Sequence, residues 1–136
     1  YLTQIYIYLN RFLETQSAVN FSDLRHYQSV FSKFEKLVDE NFLKTKSARE
    51  YADLLNITQK HLNRIVKQIT QKTTTEIITD RIILEAKRRL LYTNKTLNEI
   101  AFDLGFTDYT YFSRLFKKHV LITASHFRKQ YKRYGN

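Results

Sequence analysis

The chain has 136 residues, 43% of them hydrophobic, with ten Tyr and ten Phe, enough for a bulky core in one domain or two small ones. The absence of cysteine excludes disulfides and thiolate metal sites, and no apolar run approaches the roughly 20 residues that cross a bilayer. The net charge of +10 is concentrated: residues 1–46 hold six Lys/Arg and five Asp/Glu (+1), residues 47–136 hold 17 and eight (+9).

Proline is absent and glycine occurs only at 105 and 135. Apolar spacing is helical almost throughout, which predicts an all-α fold. Leu2, Ile5, Tyr6, Leu9, Phe12 and Leu13 form one stripe, predicting a first helix over 1–15. Residues 16–22 read as a loop, and Phe31, Phe34, Leu37, Val38 and Phe42 predict a second helix over 24–42. Lys44 to Lys46 is a break. Ser47 with Glu50 then reads as a capping box, since hydroxyl and carboxylate can satisfy open amides at a helix start. A short helix follows to Leu55, then a tight turn at Asn56-Ile57, where asparagine tolerates the left-handed conformation. The next helix runs from Thr58 to Thr70. A longer helix over 75–91 places Ile78, Ile82, Ala86 and Leu90 on one face. Thr96 with Glu99 repeats the capping box, followed by a helix to Leu104, a turn at Gly105-Phe106 and a helix over 108–119. Thr123 caps a last helix to Tyr131.

Residues 50–77 repeat at 99–127. A shift of 49 superposes Glu50, Ala52, Leu55 and Thr58 on Glu99, Ala101, Leu104 and Thr107. A shift of 50 superposes Arg64, Lys67 and Thr73 on Arg114, Lys117 and Thr123, so the second copy gains one residue just after the Thr58 position. Short helix, three-residue turn and second helix make a helix-turn-helix. The small Ala52 and Ala101 let the second helix approach, Asn56 and Gly105 turn the chain, and Leu62 and Phe112 pin the second helix. A duplicated unit in a segment of +9 suggests two copies of one device that meets a repeating polyanion, and duplex DNA is such a target.

The second copy, Glu99-Ile100-Ala101-Phe102-Asp103-Leu104-Gly105-Phe106-Thr107-Asp108-Tyr109-Thr110-Tyr111-Phe112-Ser113-Arg114-Leu115-Phe116-Lys117-Lys118, resembles the AraC/XylS family of bacterial transcription regulators nearly position for position. Arg81-x4-Ala86-x3-Leu90-Leu91 is similar to that family's central helix, and the resemblance covers about residues 47–131. The family usually has glycine and proline where this chain has Gln71 and Thr74, and again Leu121 and Ala124. A left-handed leucine at 121 would cost about 1–2 kcal/mol. The resemblance implies two helix-turn-helix subdomains, each placing its second helix in the major groove. The linker helix of 17 residues spans about 26 Å; with helix widths of about 10 Å added, the separation approaches the roughly 34 Å of one DNA turn.

The expected organisation is therefore residues 1–46 as N-terminal helices and 47–136 as a tandem DNA-binding region, with a first unit at 47–73, a linker helix at 74–92 and a second unit at 93–131. Methionine is absent even at position 1, so a further segment is expected upstream of Tyr1. The resemblance implies that this segment is an effector-binding and dimerisation module, with residues 1–46 as its tail. A helix stripe of two heptad turns is also compatible with simple packing on the DNA-binding region. No signal peptide is evident, and the expected location is the cytoplasm.

Base readers should lie early on the exposed face of each recognition helix: Lys60, Asn63 and Arg64 in the first unit, Tyr109, Thr110, Ser113 and Arg114 in the second. Arginine suits guanine O6/N7 and asparagine suits adenine N6/N7. Lys67, Lys117 and Lys118 are expected at phosphates. Tyr111, beside Phe112, is expected in the core. Histidines at 26, 61, 119 and 126 have no metal-ligand spacing, and no catalytic constellation stands out, so neither a metal, a cofactor nor an enzyme is expected. Two other readings compete. A helical RNA binder is disfavoured because the deep, narrow A-form major groove admits no helix. A helical protein-interaction adaptor would use the charge for solubility.

Overall fold

The computed structural model describes residues 4–7, 9 and 21–132, and every regular element among them is α-helical. The helices are α1 (Phe21–Asn41), α2 (Ala48–Leu54), α3 (Gln59–Thr70), α4 (Thr74–Tyr92), α5 (Leu97–Asp103), α6 (Tyr109–Val120) and α7 (Ala124–Tyr131). Residues 4–7 and 9 are helical; most of the helix expected over 1–15 lies outside the described residues. Where the sequence suggests a loop to residue 22, α1 already begins at Phe21. No helix among the described residues is long and apolar enough to cross a membrane.

The chain divides into two compact units, Tyr1–Thr79 and Asp80–Asn136, with the division inside α4. In the first, α1 packs on α2 and α3. Its core takes Phe34 and Val38 from α1, Tyr51 and Ala52 from α2, and Leu62, Ile65, Val66 and Ile69 from α3. Phe34 meets Tyr51 edge-on at 5.6 Å between ring centroids. The buried Tyr51 hydroxyl donates to the Thr45 carbonyl at 2.7 Å, so its polar end is satisfied where burial holds the phenol up at about 12.

In the second unit α6 packs on α5 and α7. An aromatic chain runs through its core: Phe106 to Phe112 at 5.4 Å, Phe112 to Phe116 at 6.0 Å, Phe116 to Phe127 at 5.7 Å. The α4 stripe Ile78, Ile82, Ala86 and Leu90 is buried throughout, as its spacing requires. The end of α4 is held by α7. The Arg128 guanidinium donates to the carbonyls of Leu90 (3.0 Å), Thr93 (3.3 Å) and Lys95 (2.6 Å), and Lys132 donates to the Thr93 carbonyl and to Asn94 Oδ1. These carbonyls would otherwise be orphaned at a helix terminus. On α4 itself, Glu85 is buried and bonded to both Arg88 and Arg89. Arg89 and Lys95 in turn pair with Asp103 of α5.

Among the described residues, four have positive φ: Asn56 (57°), Gln71 (61°), Gly105 (91°) and Leu121 (74°). They form two repeat pairs. Asn56 and Gly105 end α2 and α5; Gln71 and Leu121 end α3 and α6. At Gln71 the neighbouring Thr70 hydroxyl donates to Val66 (2.7 Å) and accepts from the Lys72 amide (3.0 Å), bracing the turn. Val120 has no hydroxyl to do the same, and Leu121 stands 80% exposed in the left-handed conformation.

Two consequences are measurable. Leu121→Gly removes a Cβ clash worth about 1–2 kcal/mol, and offsets about 0.5–1 kcal/mol of that by the greater freedom of glycine when unfolded. Because the leucine packs on little, the variant should be about 0.5–1 kcal/mol more stable in urea denaturation; unchanged or lower stability would show that residue 121 carries no strain. The hydrogen bond from Arg88, backed by Arg89, lowers the Glu85 carboxyl to about 2 against its burial. A depressed folded pKa contributes stability that is full above the unfolded value of about 4.3 and is lost as pH falls towards the folded value. Glu85→Gln should therefore be less stable than the parent at pH 7, and the difference should vanish between about pH 5 and 2. A pH-independent difference would mean the pair adds no charge-linked stability.

Candidate nucleic-acid interface

Each helix-turn-helix is built by the same local bonds. In the first, the Ile57 amide donates to the Ala52 carbonyl (3.1 Å) and the Asn56 amide to Asp53 (3.1 Å). In the second, Phe106 donates to Ala101 (3.0 Å) and Gly105 to Phe102 (2.9 Å). These are the paired bonds of a helix ending on a left-handed residue. The second helix then starts on a side-chain cap. Thr58 accepts from the His61 amide at 3.0 Å, and Asp108 accepts from the Thr110 amide at 2.9 Å. Thr58 thus corresponds to Asp108, and the extra residue of the second copy is Thr107, in the turn before the cap rather than after it. The capping box at α5 is complete, Thr96 and Glu99 bonding each other's amides at 3.1 and 3.2 Å. At α2 only half of it forms. Ser47 accepts from the Glu50 amide, and its hydroxyl donates to the Glu50 carboxylate at 3.1 Å.

With the inner face of α3 fixed by Leu62, Ile65, Val66 and Ile69, the helical period puts Lys60, Arg64 and Lys67 on the opposite, exposed face. Lys67 also donates to the Gln71 carbonyl at 3.3 Å, at the helix end. Asn63 is exposed at the edge of this stripe, but its Oδ1 accepts from the buried Thr74 hydroxyl at 2.7 Å. That bond ties α3 to the start of α4 and occupies one lone pair of the oxygen that adenine N6 would need.

On α6, Phe112 and Phe116 are fully buried, and Thr110, Arg114, Lys117 and Lys118 are exposed. Ser113 is half-buried. Tyr109 is also half-buried, its ring 6.4 Å from that of Phe112. Tyr111 is not in the core. It is 59% exposed, with its ring against Phe106 at 6.0 Å. The period decides this: with 112 and 116 inward, residue 111 points to the side and outward.

The basic residues fall into two sets. Arg88, Arg89 and Lys95 are paired with Glu85 and Asp103, which lowers the Asp103 carboxyl through the Lys95 hydrogen bond, and Arg128 and Lys132 hold backbone carbonyls. Among the described residues, Lys60, Arg64, Arg114, Lys117 and Lys118 make no ion pair with an acidic side chain. The recognition helices therefore present uncompensated positive charge outward.

Histidine positions that lack sequence spacing do meet in space. His26 of α1 and His61 of α3 lie Nε2 to Nε2 at 3.2 Å, with rings 18° from coplanar and centroids 5.5 Å apart. A ring nitrogen lies about 1.15 Å from its centroid by covalent geometry, so the contact is head-on, one N–H donating to the other nitrogen's lone pair. Tyr27 meets the His61 ring edge-on at 6.1 Å. No group of three metal-ligating side chains occurs among the described residues. The Arg128 clamp, the Glu85 pair and this histidine contact escape sequence reading, the first and last because they join residues more than 30 apart.

The helix-turn-helix domain family matches this chain over residues 51–130. The chain is 33% identical over 95 residues to the bifunctional transcriptional activator/DNA repair enzyme AdaA of Bacillus subtilis, covering 70% of this chain and 45% of that protein. It is 32% identical over 91 residues to the HTH-type transcriptional activator RhaS of Mannheimia succiniciproducens, covering 67% of this chain and 34% of that protein. The chain thus spans less than half the length of these relatives. In fold it is similar to the C-terminal domain of AraT, a response regulator from Geobacillus stearothermophilus, with a TM-score of 0.71 at 24% identity over 74% of this chain and 84% of that one.

Proposed function

This chain belongs to the AraC-type helix-turn-helix family, the DNA-binding part of bacterial transcription regulators, and from that premise we propose how it reads DNA. Helices α3 and α6 enter successive segments of the major groove of one duplex. The observation that carries this reading is the pair of outward, uncompensated basic stripes at equivalent repeat positions, Arg64/Lys67 and Arg114/Lys117, with Lys60 and Lys118 beside them. A basic face without acidic partners loses nothing internal when it meets phosphate, and each contact releases counterions.

Within those stripes Arg64 and Arg114 are the guanine readers, one helical turn in from the start of each helix. Lys60, Thr110 and Ser113 flank them as further base contacts, and Lys67, Lys117 and Lys118 take phosphates. Asn63 and Tyr109 contribute at the margin: Asn63 through its remaining amide hydrogens, Tyr109 through a ring half-committed to Phe112. The Asp108 carboxylate occupies the start of α6, so that helix end repels phosphate and leaves reading to side chains. The role is binding rather than catalysis, in the cytoplasm. In this proposal homodimerisation and effector binding belong to a region upstream of Tyr1, as the resemblance implies, and 47–136 act as the tandem reader.

Affinity for a selected duplex should fall by orders of magnitude between roughly 50 and 200 mM salt, as for about 6–10 phosphate contacts. A flat response would leave the charge as a solubility device and favour a protein-interaction role. Arg64→Ala and Arg114→Ala should each cost about 1–3 kcal/mol on the selected site and far less on random duplex, whereas Lys118→Ala should weaken both alike. Fluorescence anisotropy on both duplexes measures this. Unchanged specificity ratios in the arginine variants would make those residues phosphate contacts.

A further inference from the structure

Tyr111 occupies the third position of α6 and is 59% exposed, between the exposed Thr110 and the buried Phe112. One side of its ring is braced by Phe106, itself 9% exposed and locked against Phe112 at 5.4 Å. The ring is therefore a fixed apolar surface at the start of a recognition helix, three residues before Arg114, where side chains meet base edges. The repeat provides a comparison within the chain. The equivalent residue in the first unit is His61, and there the ring is engaged and partly covered by α1, with His26 head-on and Tyr27 edge-on. In the second unit no such helix covers Tyr111 among the described residues, and its outer face is open.

We infer that Tyr111 is a specificity-determining DNA contact of the second unit, its ring packing on the C5-methyl of a thymine. The inference rests on the duplex-reading role proposed above. Thymine's methyl is the one apolar group on the major-groove base edges, so a rigid apolar ring at that depth discriminates for it. The first unit cannot make the same contact, because its aromatic is spent on holding α1.

The test uses the chain itself and the duplex it selects from a random pool. Tyr111→Phe keeps the ring and should keep the parental site and an affinity within about twofold, while Tyr111→Ala should bind about tenfold more weakly and lose preference at one thymine. Replacing that thymine with uracil removes only the methyl. The swap should weaken the parent and Tyr111→Phe and leave Tyr111→Ala unaffected. Because residue 111 is exposed, thermal melting by circular dichroism should be alike for all three; should the alanine variant melt early, the uracil arm, which changes no residue, decides. If Tyr111→Phe loses as much as Tyr111→Ala, the hydroxyl is contacting phosphate and the assignment is wrong. It is equally wrong if Tyr111→Ala selects the same site with parental affinity. A parent chain that selects no duplex at all overturns the duplex-reading role itself, and this inference with it.

Discussion

The structure depends on one backbone constraint, a helix that must stop on a left-handed residue and immediately restart. At Asn56 and at Gly105 the chain reverses into positive φ, and the next amide bonds back to the alanine carbonyl five residues earlier. That bond fixes the direction in which the second helix leaves. Ala52 and Ala101, each 1% exposed, are small enough for the two helices to touch there. Once the direction is set, the helical period assigns every side chain of α3 and α6. Leu62 and Phe112 fall inside at 0% exposure, and Arg64 and Arg114, two residues on, fall outside. The exposed arginines are a geometrical consequence of the turn.

The charge of the chain is divided by the same logic. A buried carboxylate needs partners, and Glu85 takes two arginines from its own helix. The end of α4 leaves carbonyls without amides, and Arg128 and Lys132 supply the donors. Arg88, Arg89, Lys95, Arg128 and Lys132 are thus structural in the second unit, and with Glu85 and Asp103 they account for a third of the +9 excess that sequence reading assigns to a polyanion. What remains on α3 and α6 is smaller in number but better placed, since no carboxylate competes for it. Net charge overstates the size of the binding surface, and position identifies it.

Sequence reading reached most of the fold for physical reasons that differ by element. The α4 stripe was legible because burial on one face of a long helix imposes a regular spacing, and Ile78, Ile82, Ala86 and Leu90 keep it without a break. The caps at Thr96 and Thr123 were legible because a hydroxyl must stand at a fixed distance from the amide it satisfies; the Thr58 cap was not, since the repeat aligned Thr58 with Thr107 rather than with Asp108. The left-handed turn at Leu121 was legible only through the resemblance, which has glycine there; the leucine itself avoids that conformation. The Ser47 cap illustrates a finer limit. The residue pair predicts that a cap exists, but whether Glu50 meets the amide or the hydroxyl depends on rotamers. Tyr111 was misassigned because aromatics at 109, 111, 112 and 116 offer several inward faces, and only the packed helix shows that 112 and 116 are chosen.

The two copies then diverge at the repeat position of His61 and Tyr111, and that divergence follows from what lies N-terminal to each. The first unit is preceded by α1, a helix of 21 residues whose inner face, Phe31, Phe34 and Val38, must be covered. Docking it on α2 and α3 brings His26 to His61 and partly covers that flank of the second helix. The second unit is preceded by the end of α4, which is bound by Arg128 and Lys132 from the opposite end of the chain. Its recognition helix keeps the corresponding flank open, with Tyr111 standing on Phe106. A duplication starts with two equal surfaces; covering an added helix costs one of them an aromatic at its leading edge. The copy without such a helix among the described residues keeps this flank of its second helix exposed, so the two surfaces already differ at this position through packing alone.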